Sequence, residues 1–188
     1  MTLAQPVVAA GYPARFPARF TVEQFHRLCE AVPEQRLELI DGEVLQVIAK
    51  GTRHTAVVHR LIAALQTALA EDPPLPLQLR VESPLDLGPT TEPEPDLALV
   101  ARREDDYWNA HPTAADTVLL IEVSDRSLAF DLETKASLYA GAGIPHYWVI
   151  DVQQPCLYVV HGESQAAEPW LAALRGSVEQ LLRGLPRG

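Results

Sequence analysis

Val118-Leu-Leu-Ile-Glu-Val-Ser124 is the most apolar extended run of the chain, and it carries a single acid near its middle. Successive side chains of a strand point to opposite faces, so Val118, Leu120, Glu122 and Ser124 share one face while Leu119, Ile121 and Val123 share the other. With both faces apolar enough to be buried, Thr117 to Val123 is predicted to be a strand at the centre of a sheet. An ionised carboxylate left alone there would cost several kcal/mol, so Glu122 needs a partner. An arginine or backbone donors would satisfy it in the simplest case.

Outward from that run the chain alternates extended and helical signals. Leu77 to Val81, Leu85 to Leu87 and Asp96 to Val100 read as strands before it, and His146 to Ile150 and Cys156 to Val160 as a closing pair after it. Between these lies a helix over about 130–140, carrying Leu132, Ala136 and Tyr139 and ending at Gly141. Toward the N-terminus, Thr21-Val-Glu-Gln24 has the spacing of a capping box and opens a helix over about 21–31. Arg36 to Ile40 and Glu43 to Ile48 flank Asp41-Gly42, a strong hairpin signal. From Thr52 to Leu69, apolar residues recur at three and four until Pro73-Pro74 stops the helix. Glu168 to Leu182 places Trp170, Leu171, Leu174, Val178, Leu181 and Leu182 on one helical face, which suits a terminal helix packed on the domain or on a second copy. The pattern predicts one α+β domain, a mixed sheet flanked by helices, over 20–165. An irregular arm precedes it over 1–19, and the C-terminal helix and tail follow over 166–188.

The 188 residues are 47% hydrophobic and 21% charged, as in ordinary folded domains, which excludes disordered and fibrous classes. With 25 acidic against 15 basic residues, the formal charge of −10 disfavours loose electrostatic binding of a polyanion. A nucleic-acid enzyme stays open, because carboxylates that hold divalent ions count as negative charge. Cys29 and Cys156 show no ligand spacing and read as two small buried hydrophobes, which suits a reducing compartment. Met1 to Ala10 lacks the cationic start of a signal peptide, and apolar runs of about five residues fall far short of the roughly 20 needed to cross a bilayer. A cytoplasmic protein with no membrane partner is expected.

Three further residues stand out beside Glu122. Asp96 opens an apolar strand directly after Pro93-Glu-Pro95, where it either caps a turn or serves as a ligand. Glu38 lies in Leu37-Glu-Leu-Ile40, a place that by itself faces solvent. Lys135 is one of only two lysines, the other being Lys50, in a chain that otherwise uses arginine, so it invites a specific role for a compact cation. The plainer reading of Lys135 is an i, i+4 surface pair with Asp131. At roughly 4 Å and an effective dielectric near 20, two carboxylates repel by about 4 kcal/mol, so three gathered acids require a cation. Two acids at strand positions, a third acid and an ammonium form a set able to hold a divalent metal and a nucleophilic water.

Leu37-Glu-Leu-Ile-Asp-Gly-Glu43, Arg53-His54, Glu92-Pro-Glu-Pro-Asp-Leu-Ala-Leu-Val100, Ile121-Glu-Val-Ser-Asp-Arg-Ser-Leu-Ala-Phe-Asp131, Lys135, Leu138-Tyr-Ala140 and Gly143-Ile-Pro-His-Tyr-Trp-Val-Ile-Asp151 follow one another in order. These blocks, over about 20–160, resemble the Uma-two type restriction endonuclease family of the PD-(D/E)XK nuclease superfamily. The resemblance implies a restriction-endonuclease-like mixed sheet with Mg²⁺ or Mn²⁺ at its edge and DNA as substrate, with no organic cofactor. It makes Asp96 and Glu122 the metal ligands and adds Glu38 and Lys135 to the catalytic set. One departure from the superfamily pattern is Ser124 two residues after Glu122, where a lysine is usual; Lys135, on the following helix, takes that part. A homodimer through the C-terminal helix is the expected assembly. The rival reading is a non-catalytic binding or regulatory module that retains the nuclease fold.

Other signals carry less. Gly141-Ala-Gly143 leaves a helix and enters a strand, the reverse of a dinucleotide loop. Ser124 and Ser127 lie in no nucleophile elbow. His54 and His59, five apart, do not share a helix face as zinc ligands would; His54 reads first as a helix-start residue with a surface role, and its place in a block shared with the resembled family leaves a role facing the site or a phosphate as the alternative. Tyr147 and Trp148 read as core, and Asp151 as a strand-end turn residue. Arg53, Arg60, Arg102, Arg103 and Arg126 are candidates to meet phosphates around a cleft.

Overall fold

The computed structural model describes residues 17–71, 73–161 and 169–186. Helix α1 (Val22–Ala31) starts where the capping box predicts. The Thr21 hydroxyl accepts from the Gln24 N–H at 3.3 Å, and the Gln24 side chain accepts from the Thr21 N–H at 3.0 Å. Strands β1 (Leu37–Ile40) and β2 (Glu43–Gln46) pair antiparallel around Asp41-Gly42. Both turn residues have positive φ, +48° and +78°, the geometry of the tight turn that Asp-Gly favours. Helix α2 (Thr52–Leu69) follows.

The main sheet has five strands in the order β3 (Leu77–Val81), β4 (Leu97–Ala101), β5 (Thr117–Ser124), β6 (His146–Asp151), β7 (Cys156–His161). The expected central strand, β5, is indeed central. Only β5 and β6 run parallel, with Glu122 opposite Val149; the other neighbours are antiparallel. The parallel pair is joined by one continuous helical stretch: α3 (Leu128–Phe130), a π-turn (Asp131–Lys135) and α4 (Ala136–Gly141). The π-turn differs from the regular helix the spacing predicts. Gly143, at φ +80°, closes this stretch before β6.

Leu85 to Leu87 is not a strand. The Leu85 N–H bonds Pro93 O and the Leu87 N–H bonds Thr91 O, so the segment folds back on its own return, and Asp86 makes only an isolated bridge to Thr113. Prolines at 84, 89, 93 and 95 remove the N–H donors a continuous ladder would need.

The period-two reading of the strands holds on both faces. Leu97, Leu99, Leu119, Ile121, Val123, Trp148 and Ile150 pack under α2 and under α5 (Pro169–Arg183). Ala98, Val100, Leu120, Tyr147 and Val149 pack on the other face with Ala136 and Tyr139 of α4. Tyr147 and Trp148 are core, as expected, and Asp151 caps a turn by accepting from the Gln153 and Gln154 N–H groups. Leu171, Leu174, Val178 and Leu182 of α5 are buried in the first of these clusters, so the apolar face of that helix is used within the chain itself. Cys29 and Cys156 are free and only half-buried, more exposed than expected. Among the described residues no helix is long and apolar enough to cross a membrane.

Candidate active site

The antiparallel pairing of β4 with β5 sets the N-terminal end of β4 beside the C-terminal half of β5, because Leu97 lies opposite Ile121. Asp96 and Glu122 therefore meet. The Asp96 N–H donates to Glu122 Oε2 at 3.4 Å, and Asp96 Oδ2 accepts from the Val123 N–H at 2.8 Å. Both carboxylates are buried. The parallel crossover then brings its helix over the same face of β5. Lys135 Nζ donates to Glu122 Oε1 at 2.8 Å, and the Tyr139 hydroxyl donates to the same oxygen at 3.1 Å.

The hairpin supplies the third acid. Glu38 is buried rather than solvent-facing, and its Oε1 accepts from Lys135 Nζ at 3.2 Å and from the Glu94 N–H at 3.3 Å. Leu39 pairs with Glu92 through both backbone groups, a bridge that covers the outer side of the hairpin and holds Glu38 inward. All four residues singled out in the sequence thus converge on one site, with Lys135 bridging the two glutamates.

Asp131 is not the surface partner of Lys135. It is buried and accepts hydrogen bonds from the Ser124 and Ser127 hydroxyls, the latter at 2.6 Å. Asp131 and Lys135 lie at the two ends of the π-turn, and both are buried.

Two residues were misread or passed over in the sequence. His54, expected on the surface, is buried, with Nε2 3.0 Å from Asp96 Oδ2. A carboxylate only accepts, so Nε2 carries the hydrogen, while Nδ1 is buried without a hydrogen-bond partner. Lys50 donates to Asp96 Oδ1 at 2.6 Å and to Glu82 Oε1 at 2.7 Å. The scarcity of lysine that marked Lys135 marks Lys50 equally, and both lysines of the chain lie in this site. Among the five arginines suggested for phosphate contact, Arg126 lines the cavity.

Charge here is under-compensated by design of the chain. Burial pushes the Glu122 carboxyl up to about 8; Lys135 opposes this, while Asp96, Asp131 and Glu38 add to it. Burial opposes the Lys135 ammonium too, but Glu122 and Glu38 outweigh it and raise its affinity for the proton. The Lys135 ammonium therefore stays charged, while Glu122 keeps its proton at neutral pH. Asp96 goes the other way: burial raises it, but the hydrogen bond and charge of His54 together with Lys50 outweigh burial and hold it at about 2. Asp131 is raised by burial, with its two serine hydrogen bonds only partly offsetting the effect.

These groups open on a cavity of about 440 Å³ whose polar floor is Glu38, Asp96, Glu122 and Lys135 and whose apolar wall includes Leu45, Val47, Ile48 and Phe130.

The Uma2 family, described as "Putative restriction endonuclease", matches residues 22–188. The chain belongs to the Uma2 family. The match takes in every side chain of the site. A crystal structure from Anabaena variabilis, described as "a putative nuclease belonging to DUF820", superposes at a TM-score of 0.58 with 14% identity, covering 87% of this Uma2 chain and 99% of the other. At that identity the likeness concerns the fold, the expected mixed sheet flanked by helices. No curated protein matches the chain.

Proposed function

We propose that this Uma2 protein is a metal-dependent endonuclease that hydrolyses DNA phosphodiester bonds, with Asp96 and Glu122 holding Mg²⁺ or Mn²⁺. One observation carries the reading: a buried pair of acids, joined through the Asp96 N–H, shares its cavity with three further acids, Glu38, Asp125 and Asp131, and the only two lysines of the chain.

The donor set suits a hard divalent ion, which takes oxygen ligands. Among the described residues no three His, Cys, Asp or Glu side chains form a preformed cage. Mg²⁺ is ordinarily held by one or two carboxylates, with water and substrate phosphate oxygens completing its shell. Burial pushes the Glu122 carboxyl up to about 8, so a bound cation would take the place of the proton it holds at neutral pH. Asp96 is ionised and already carries a cation on Oδ1. When bound, the ion supplies a water of lowered pKa and neutralises charge developing on the phosphate.

The chain's own residues prepare that chemistry. His54 Nε2 and the Val123 N–H fix Asp96 Oδ2, which fixes the direction of the carboxylate. Lys135 and the Tyr139 hydroxyl fix Glu122 Oε1 and leave Oε2 toward Asp96. Lys135 also lines the cavity, where its ammonium can orient a water with one hydrogen while Glu38 holds another. Burial of the floor residues themselves strengthens each of these interactions.

Asp96→Asn tests the assignment, because it removes charge while nearly keeping shape. Cleavage of plasmid DNA in Mn²⁺ should fall by on the order of 10³-fold, with circular dichroism unchanged. In the wild type, Mn²⁺ at about 100 times its dissociation constant should add roughly 2.7 kcal/mol over EDTA, about 5–11 °C in melting temperature. That rise should vanish in the variant. Cleavage retained by Asp96→Asn sinks the assignment, and a folded protein indifferent to Mn²⁺ favours a non-catalytic module on the same fold.

A further inference from the structure

Lys50 stands on the connection between β2 and α2, after the last backbone bond of the hairpin (Val47 N–H to Arg36 O, 2.9 Å) and before the first of the helix (Thr55 N–H to Gly51 O, 3.1 Å). It therefore sits on a short tether. Its ammonium lies between Asp96 Oδ1 and Glu82 Oε1, and exposure rises outward along that line, from 7% for the Asp96 side chain through 18% for Lys50 to 34% for Glu82, against 6% for Lys135. Glu82 reaches it from a left-handed backbone conformation, φ +45°, that costs a non-glycine residue free energy and persists only where the surroundings impose it. The Glu82 N–H bonds Asp96 O at 3.0 Å, so the strained residue is tied to the strand end that carries Asp96. Two acids, one of them on a strained backbone, thus hold one partly exposed cation beside the buried acids.

We propose that Lys50 is the cation that occupies Asp96 Oδ1 while the site holds no metal ion, and that an incoming divalent ion displaces it toward Glu82 and the cavity mouth, where its ammonium meets a substrate phosphate. The inference rests on the nuclease reading above and adds to it a positioning residue with two stations. Geometry separates the two lysines. Lys135 binds Glu122 and Glu38 on the far side from Asp96 and stays buried, whereas Lys50 competes directly for an oxygen that a metal would take. A compact ammonium on a flexible stem suits such an exchange better than a planar guanidinium, in a chain that uses arginine for its other positive charges. Retaining Glu82 as a second partner keeps the displaced ammonium at the mouth.

With two lysines in the chain, amine acetylation followed by mass spectrometry reads Lys50 directly. In the full-length wild type, Lys50 acetylation should be slow in EDTA and rise about tenfold in saturating Mn²⁺, with Lys135 slow in both. In Asp96→Asn the dependence on Mn²⁺ should disappear. Lys50→Gln, checked for folding by its melt, should bind Mn²⁺ about tenfold tighter by calorimetry. It should also bind a DNA duplex several-fold more weakly in Ca²⁺, measured by fluorescence anisotropy. The opposite signs are decisive, since a merely structural lysine would weaken both. Equal or weaker Mn²⁺ binding by Lys50→Gln, or acetylation indifferent to Mn²⁺ in a protein that binds it through Asp96, overturns this inference alone. Absence of Asp96-dependent Mn²⁺ binding overturns both it and the nuclease reading.

Discussion

The two faces of the five-stranded sheet are built on opposite terms. Under α2 and α5 the buried cluster is wholly apolar, from Val57, Leu61 and Leu65 through Ile121 and Trp148 to Val178. The other face shares its space with buried Glu38, Glu122, Asp131 and Lys135. Burying paired charge often contributes nothing net to stability, whereas burying aliphatic surface contributes about 25 cal/mol per Å². The difference teaches that one face keeps the domain folded, so that the other can hold a site whose charges are not balanced.

Breaking the charged face at its cation should give the largest change in stability. Lys135→Met leaves Glu122 and Glu38 without their shared ammonium, which should cost about 3–5 kcal/mol, or roughly 6–20 °C in melting temperature in EDTA at pH 7. The loss should grow toward pH 9, where Glu122 gives up the proton it holds at pH 7. An unchanged melt at pH 7 would mean that the ion pair is no part of the folded protein.

The apolar face should respond differently. Leu61→Ala opens a cavity in the fully buried cluster and should cost about 2–5 kcal/mol by urea denaturation, while Mn²⁺ affinity stays within a factor of two. A large loss of affinity in that variant would show the faces to be coupled.

Proton linkage gives the finest test. The folded state holds the Glu122 proton up to about pH 8, far above the ordinary value near 4.3, so between these limits the folded chain binds more protons than the unfolded one. The metal-free protein should therefore lose stability as pH rises through this window, by up to about 1.4 kcal/mol per unit. Glu122→Gln should flatten that slope. Asp96 contributes with the opposite sign: its stabilisation is present above about pH 4 and is lost as pH falls toward 2. Melts in EDTA from pH 2 to 9 read both limbs.

Much of this was legible from residue order. Period two in Thr117 to Ser124 placed Glu122 on a buried strand, and Asp41-Gly42 placed the hairpin. Burial of Glu38 was not legible, because it depends on Leu39 pairing with Glu92 across 53 positions of chain. Nor was the π-turn, since Asp131-Leu-Glu-Thr-Lys135 fits an ordinary helix equally well. His54 looked peripheral because helix starts usually are; here the start of α2 lies against the end of the interior strand that Asp96 opens. Lys50 bore the same compositional mark as Lys135, but it had no motif beside it.

Lys135 holds two glutamates that lie at very different distances along the chain, Glu122 at 13 positions and Glu38 at 97. Closing the longer loop costs about 1.8 kcal/mol more in chain entropy. Glu122 and Lys135 belong to one strand–helix–strand unit, whereas Glu38 rides on a hairpin outside the main sheet. In partial opening events the hairpin should therefore leave first, carrying one acid away, and amide exchange in β1 and β2 should outpace exchange in β5 and β6. The site thus comes apart along a seam set by chain connectivity, and its deepest ion pair is the last part of it to be lost.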